Sequence, residues 1–165
     1  MRLLVAVLLL CSWAAAQEVG KLCVYCHIEH VDDLKSHKHA AKNISCEVCH
    51  GESKPHRNAV GATAPDRVAG PDEAPALCGT CHTSQLKAYT PSAHGKLVLS
   101  QSKTRAAQCT TCHGAHSPRS AVAMKRQCDR CHAELPAACK QPVTVAAGKL
   151  ACAACHNPHT LAKRQ

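Results

Sequence analysis

Six times along this chain, two cysteines stand three positions apart with a histidine directly after the second. The copies are Cys23-Cys26-His27, Cys46-Cys49-His50, Cys78-Cys81-His82, Cys109-Cys112-His113, Cys128-Cys131-His132 and Cys152-Cys155-His156. At this composition, chance would place roughly 0.1 such match in the chain. The intervals between the copies are unequal, so the chain is a string of short modules and not a strict solenoid repeat. Any fold has to put twelve thiols and six adjoining imidazoles to use.

Four chemistries use paired cysteines. Zinc takes two pairs, or one pair with two histidines, but does not need His after every second Cys. Thiol redox chemistry needs its C-x-x-C at a helix start in an α/β domain, and no such domain is legible. A disulfide framework leaves the histidine unexplained, and C-x-x-C closes a tight loop poorly. Covalent haem attachment uses every position: two thiols add to the two vinyl groups, and the next residue binds the iron from one side. The motifs therefore predict six covalently bound haem c groups (iron). Each is held by its two cysteines and ligated by its proximal histidine: His27, His50, His82, His113, His132 or His156.

Composition agrees. Hydrophobic letters reach 45%, yet the chain has no Phe, one Trp and two Tyr. Large side chains normally supply most of the buried area of a core, so porphyrins must supply it here. The fold expected is mostly coil with short α-helices wrapped around six covalently bound haems, with little or no β-sheet. Residues 32–42 and 118–125 predict short helices, and residues 97–108 read as helix or loop. Dense Pro and Gly over residues 61–75 predict a loop or hinge. With ~25 residues for each haem, the groups must lie close together.

The first sixteen residues read as a secretory signal peptide: Arg2, a short apolar run, then Ala14 and Ala16 around a cleavage site. That leaves 17–165 as one hexahaem domain, exported to the periplasm or the cell surface. A rival reading makes Cys11 a lipid-bearing terminus, but Leu10 is large for the residue before such a cysteine.

Electron-transfer haems need a second axial ligand. Once the leader is removed Met124 is the sole methionine, so histidine has to serve: His30, His37, His39, His56, His94, His116 and His159 lie outside the motifs. That is one more than six irons require. His37 is taken as the spare, with His39 as the alternative spare. His30, His39, His56, His94, His116 and His159 are the distal candidates. His30, His116 and His159 each follow a motif as C-H-x-x-H. That span is too short to reach the far face of the same ring, so each suits a neighbouring haem. Bis-histidine ligation points to lower potentials than His/Met.

The chain resembles the multihaem c-type cytochromes with doubled C-x-x-C-H motifs, including decahaem electron-transfer cytochromes. SCEVCHGESKPH, CTTCHGAHSP and CAACHNPHT carry the likeness, and PSAHGK resembles a distal-ligand segment. The resemblance implies electron carriage through the periplasm, across outer membranes or along extracellular cytochrome filaments. One departure concerns the last haem. Relatives often carry His-Pro-Val before it, whereas this chain has Gln141-Pro142-Val143. That haem would recruit a histidine from elsewhere, use Cys139, or stay five-coordinate; a buried free thiol or an intermolecular disulfide is the plainer reading of Cys139.

The formal charge is +9. Export and the lack of interleaved aromatics speak against a nucleic-acid partner. Haem propionates, two per group, would offset the charge and pair with Lys and Arg. The expected function is an electron carrier, not an enzyme, in a respiratory or extracellular chain. Its partners would be redox proteins: other cytochromes or quinol-linked membrane donors. Two alternatives stand beside it. One is a haem reductase with an open distal site acting on a small oxidised substrate. The other is a subunit that self-assembles into an extracellular cytochrome filament.

Overall fold

The structure, a computed structural model, describes residues 22–100, 105–132 and 152–164. The leader, Cys139 and Gln141 lie outside the described residues. By backbone contacts the chain divides into two compact units, Met1–Val68 and Ala69–Gln165, and the dividing point falls within residues 61–75.

In the first unit, a 3-10 turn over Ile28–His30 leads into α1 (Val31–Ser36). A second 3-10 turn at Ala40–Lys42 follows, then α2 (Cys46–His50) and α3 (Lys54–Asn58). The single helix expected over residues 32–42 is thus two pieces. The cause is local: the His39 backbone N–H donates to Nδ1 of His37 at 3.1 Å, offering the backbone a partner other than a helical carbonyl. Asn43, at φ 56°, then ends the second turn in the left-handed region.

The second unit holds α4 (Ala74–Gly79), α5 (Thr83–Tyr89), α6 (Ala93–Leu99), α7 (Cys109–His113) and α8 (Ala121–Lys125). A 3-10 turn at Cys128–Arg130 and α9 (Cys152–Cys155) complete it. Ser120 starts α8 by accepting from the Ala123 N–H at 3.2 Å, so that helix begins later than the sequence pattern suggested. Ser92 caps α6 through the Gly95 N–H at 3.0 Å. Gln108 and Thr111 form a reciprocal capping box on α7. Among the described residues there is no strand, and His156 and Lys163 form an isolated antiparallel bridge.

Helices this short are not stable alone in water, so something must hold them. In the second unit that is a small core of Ala74, Pro75, Tyr89 and Val98. Close approach makes it compact. A Cβ on Gly79 would run into the Leu86 side chain, and one on Gly95 into the Tyr89 carbonyl. The Tyr89 hydroxyl donates to the Ala107 carbonyl at 3.0 Å. α4, α5 and α6 escaped the sequence reading because they pack through small residues and not through an apolar stripe.

Large apolar side chains stay outside this core. Tyr25 is 79% exposed and Ile28 75%, flanking Cys26 and His27; Val48, inside the second motif, is 51% exposed. Among the described residues no helix is long and apolar enough to cross a membrane.

Candidate functional site

All six C-x-x-C-H motifs lie in the described residues, and each is one helical turn. Cys46–His50 and Cys109–His113 are α2 and α7 themselves. In the other four, the histidine N–H reaches back to the first cysteine's carbonyl: His27 to Cys23 at 3.0 Å, His82 to Cys78 at 3.0 Å, His132 to Cys128 at 2.9 Å and His156 to Cys152 at 2.8 Å. One turn brings the first cysteine and the histidine, four apart, onto one face.

Four of the twelve motif thiols lie where burial raises their pKa. None of the twelve is in a disulfide. Burial, then Cys46 and Glu47 beside it, pushes the Cys23 thiol up to about 11. Burial and Cys78 push Cys109 up to about 11. Burial raises Cys112 and Cys128 as well.

The first cysteines also meet in pairs. Cys46 lies beside Cys23, Cys78 beside Cys109, and Cys152 beside Cys128, each close enough to raise its neighbour's pKa. Motifs one and two, three and four, and five and six therefore touch at their attachment points. Cys112 acts on Cys128, which places the fourth motif beside the fifth.

Several histidines are turned so that one nitrogen is free of its proton. Nδ1 of His50 donates to the Arg67 carbonyl at 3.0 Å, that of His56 to Thr63 at 2.7 Å, and that of His156 to Leu161 at 2.8 Å. A carbonyl oxygen only accepts, so in the neutral ring the proton is on Nδ1 and the lone pair on Nε2. His27 turns its Nδ1 toward the Glu29 carboxylate at 3.6 Å. His37 is the reverse case: its Nδ1 accepts from the His39 N–H, so the proton of its neutral ring is on Nε2.

A strap, residues 63–67, supplies two of those carbonyls. Asp66 fastens it: its carboxylate accepts from the Ser53 N–H at 2.7 Å, and its own N–H donates to the Ser53 hydroxyl at 3.0 Å. Gly51, at φ +76°, makes room, since a Cβ there would come within 2.8 Å of the Asp66 side chain. Nothing in the motif pattern marks Ser53, Thr63 or Asp66. Thr63 and Arg67 act through backbone carbonyls, so their side-chain identity carries no signal.

Three motif histidines each face a histidine from outside the motifs. His27 and His56 have ring centroids 6.1 Å apart and planes 10° apart. For His113 and His159 the values are 6.1 Å and 8°, and for His94 and His132 they are 6.0 Å and 26°. Two imidazoles bound through nitrogen to opposite sides of one metal, at about 2.0–2.1 Å each, would have centroids roughly 6–6.5 Å apart. Burial and His132 lower the pKa of His94, and burial, His159 and His82 lower that of His113, which keeps both rings neutral with a lone pair to give. His159, three past His156, thus lies by the histidine of another motif. His30 lies 6.4 Å from His27 of its own motif, and its Nε2 is 3.8 Å from the Glu29 carboxylate. His37 and His39 lie 4.6 Å apart. The donor set, the near-parallel pairs and the apolar side chains beside the motifs fit covalently attached haem.

The comparison with curated proteins and that with solved structures each gave no match. A family model described as cytochrome c3 matches residues 37–133. That span is more than half of the chain and takes in four of the six motifs, so the chain belongs to the cytochrome c3 family of multihaem c-type cytochromes.

Proposed function

We propose that this chain is an exported hexahaem electron carrier that passes electrons between redox partner proteins in a respiratory or extracellular chain. The observation that carries it is the contact of the first cysteines in pairs, Cys23 with Cys46, Cys78 with Cys109 and Cys128 with Cys152. Groups attached at touching sulfurs are themselves within contact. Haem c supplies a centre that takes up and releases one electron without bond making.

The residues do the rest. Twelve cysteines form thioethers, and His27, His50, His82, His113, His132 and His156 hold the irons from the proximal side. His56, His159 and His94, which face His27, His113 and His132, would bind the same irons as those rings. Backbone carbonyls of Arg67, Thr63 and Leu161 fix the tautomers of His50, His56 and His156. A ligand set held by the backbone in this way needs little rearrangement when the charge on the iron changes, which suits transfer over chemistry. The leader, read from sequence, and the family's habit of export support a location outside the cytoplasm.

The test is to weigh and reduce the purified protein. Intact mass equal to the chain without its leader plus six haems is expected, and fewer haems overturns the count. Mixing with a fraction of an equivalent of reductant should bring all haems to one redox equilibrium within a single mixing experiment. A distribution of electrons among the haems that drifts slowly after mixing, instead of settling at once to that equilibrium, would sink the continuous path.

A further inference from the structure

We infer that Glu47 and Arg119 tune two of the haems in opposite directions: Glu47 makes the haem on Cys23 more reducing, and Arg119 makes the haem on Cys112 more oxidising. This rests on the reading that haem is attached at those cysteines.

A haem iron gains positive charge when it gives up an electron. A carboxylate nearby stabilises the oxidised iron, and a guanidinium disfavours it. The effect is larger where protein keeps water away from the charge. Sγ of Cys23 lies 3.6 Å from Oε1 of Glu47 in a part-buried contact, and Oε2 of the same carboxylate is buried. Glu47 belongs to the second motif, where it follows Cys46 in α2. The charge therefore reaches the first motif from outside it, at a position that C-x-x-C-H leaves open. A second carboxylate acts in the same sense. Glu29 lies 3.6 Å from Nδ1 of His27, the histidine of the first motif. A carboxylate at the nitrogen turned away from the iron raises the basicity of the ring, which favours oxidised iron. Glu29 is exposed, so its share is screened. His50 and His156 turn Nδ1 to uncharged backbone carbonyls instead.

The fourth motif carries the opposite sign. Nη1 of Arg119 donates to the Thr110 carbonyl at 2.9 Å in a part-buried bond, and the Arg119 backbone N–H donates to the His113 carbonyl at 2.9 Å. Both carbonyls belong to α7, the turn of the motif itself. Gly114, at φ +78°, lets the chain fold back for this hold, since a Cβ there would run into the Ser117 carbonyl. The guanidinium is close enough to Cys112 to work against the effect of burial on that sulfur. Thr110 and Arg119 act on each other through a backbone carbonyl, so the cation is fixed to the motif by the fold and not by a neighbouring acid.

The experiment compares charge-removing with charge-keeping variants of the holoprotein. Midpoint potentials are read haem by haem, by redox titration followed in the paramagnetic NMR spectrum. In Glu47→Gln the haem on Cys23 should become easier to reduce, its reduced-to-oxidised ratio at a fixed applied potential rising on the order of tenfold. In Arg119→Gln the ratio at the haem on Cys112 should fall by a similar factor. Glu47→Asp and Arg119→Lys keep the charge and should stay near wild type, which a purely structural role would not produce. Shifts of one sign in both Gln variants, equal shifts in the charge-keeping variants, or no shift at all overturn the inference. If Arg119→Gln does not accumulate, the Glu47 variants decide: a wild-type ratio in Glu47→Gln overturns it. Peptide mapping separates this failure from that of the functional reading. Haem on the peptides of Cys23 and Cys112 leaves the haem reading standing whatever the potentials do, whereas bare cysteines there overturn both.

Discussion

The two units solve the same problem with different means. Met1–Val68 has two motif histidines and four others, whereas Ala69–Gln165 has four motif histidines and three others. The first has more histidines outside its motifs than within them but almost no interior: of its described residues only Ser53 is buried. It is held by a strap whose carbonyls orient His50 and His56 and whose anchor is the Asp66–Ser53 clasp. The second has fewer histidines outside its motifs than within them, and it has a small core around Tyr89 and Val98 and three capped helices. Where side chains pack, the scaffold is independent of the ligands; where they do not, ligand orientation and scaffold are the same hydrogen bonds.

The strongest way to break this contrast is to remove one distal ligand from each unit. His56→Ala and His94→Ala should each turn one iron high-spin without loss of haem, seen by spin resonance and haem count. Unchanged low-spin spectra would dissolve the axial reading in that unit.

Next in size is Gly95→Ala. Its methyl would meet the Tyr89 and Thr90 carbonyls in the tightest part of the second unit. Overpacking of this kind costs about 1–3 kcal/mol, measurable as a lower denaturation midpoint with spectra of the native protein unaltered. Asp66→Ala in the first unit should cost about 1–2 kcal/mol by stripping partners from buried Ser53. Unlike Gly95→Ala, it should also move the reduction potentials of haems bound by His50 and His56. A stability change with fixed potentials would show that the strap only supports the chain.

Smallest are the caps. Ser92→Ala should cost about 1 kcal/mol, and Tyr89→Phe about 0.5–1.5 kcal/mol through the lost bond to Ala107. Both should leave all potentials in place.

The family, and a fold of short helices and coil, were legible because C-x-x-C-H is local: five consecutive residues carry attachment and ligation together. Other things were not local. The helices α4 to α6 announce themselves through Gly79 and Gly95, whose role is the room they leave for Leu86 and Tyr89, and no periodicity records that. The break at His37 to His39 depends on an imidazole competing with the backbone for one N–H. His56, His94 and His159 are among the distal candidates read from the sequence, but neither spacing nor residue type pairs His56 with His27 or His159 with His113.

The sequence by itself determined how many C-x-x-C-H motifs there are, and that aromatic residues are too few to build an interior. Tertiary structure alone decided which motifs touch, which nitrogen of each histidine keeps its proton, and which rings face one another. The physical reason is range. A thioether motif is written within one helical turn, whereas a ligand pair is closed by carbonyls and contacts drawn from distant parts of the chain.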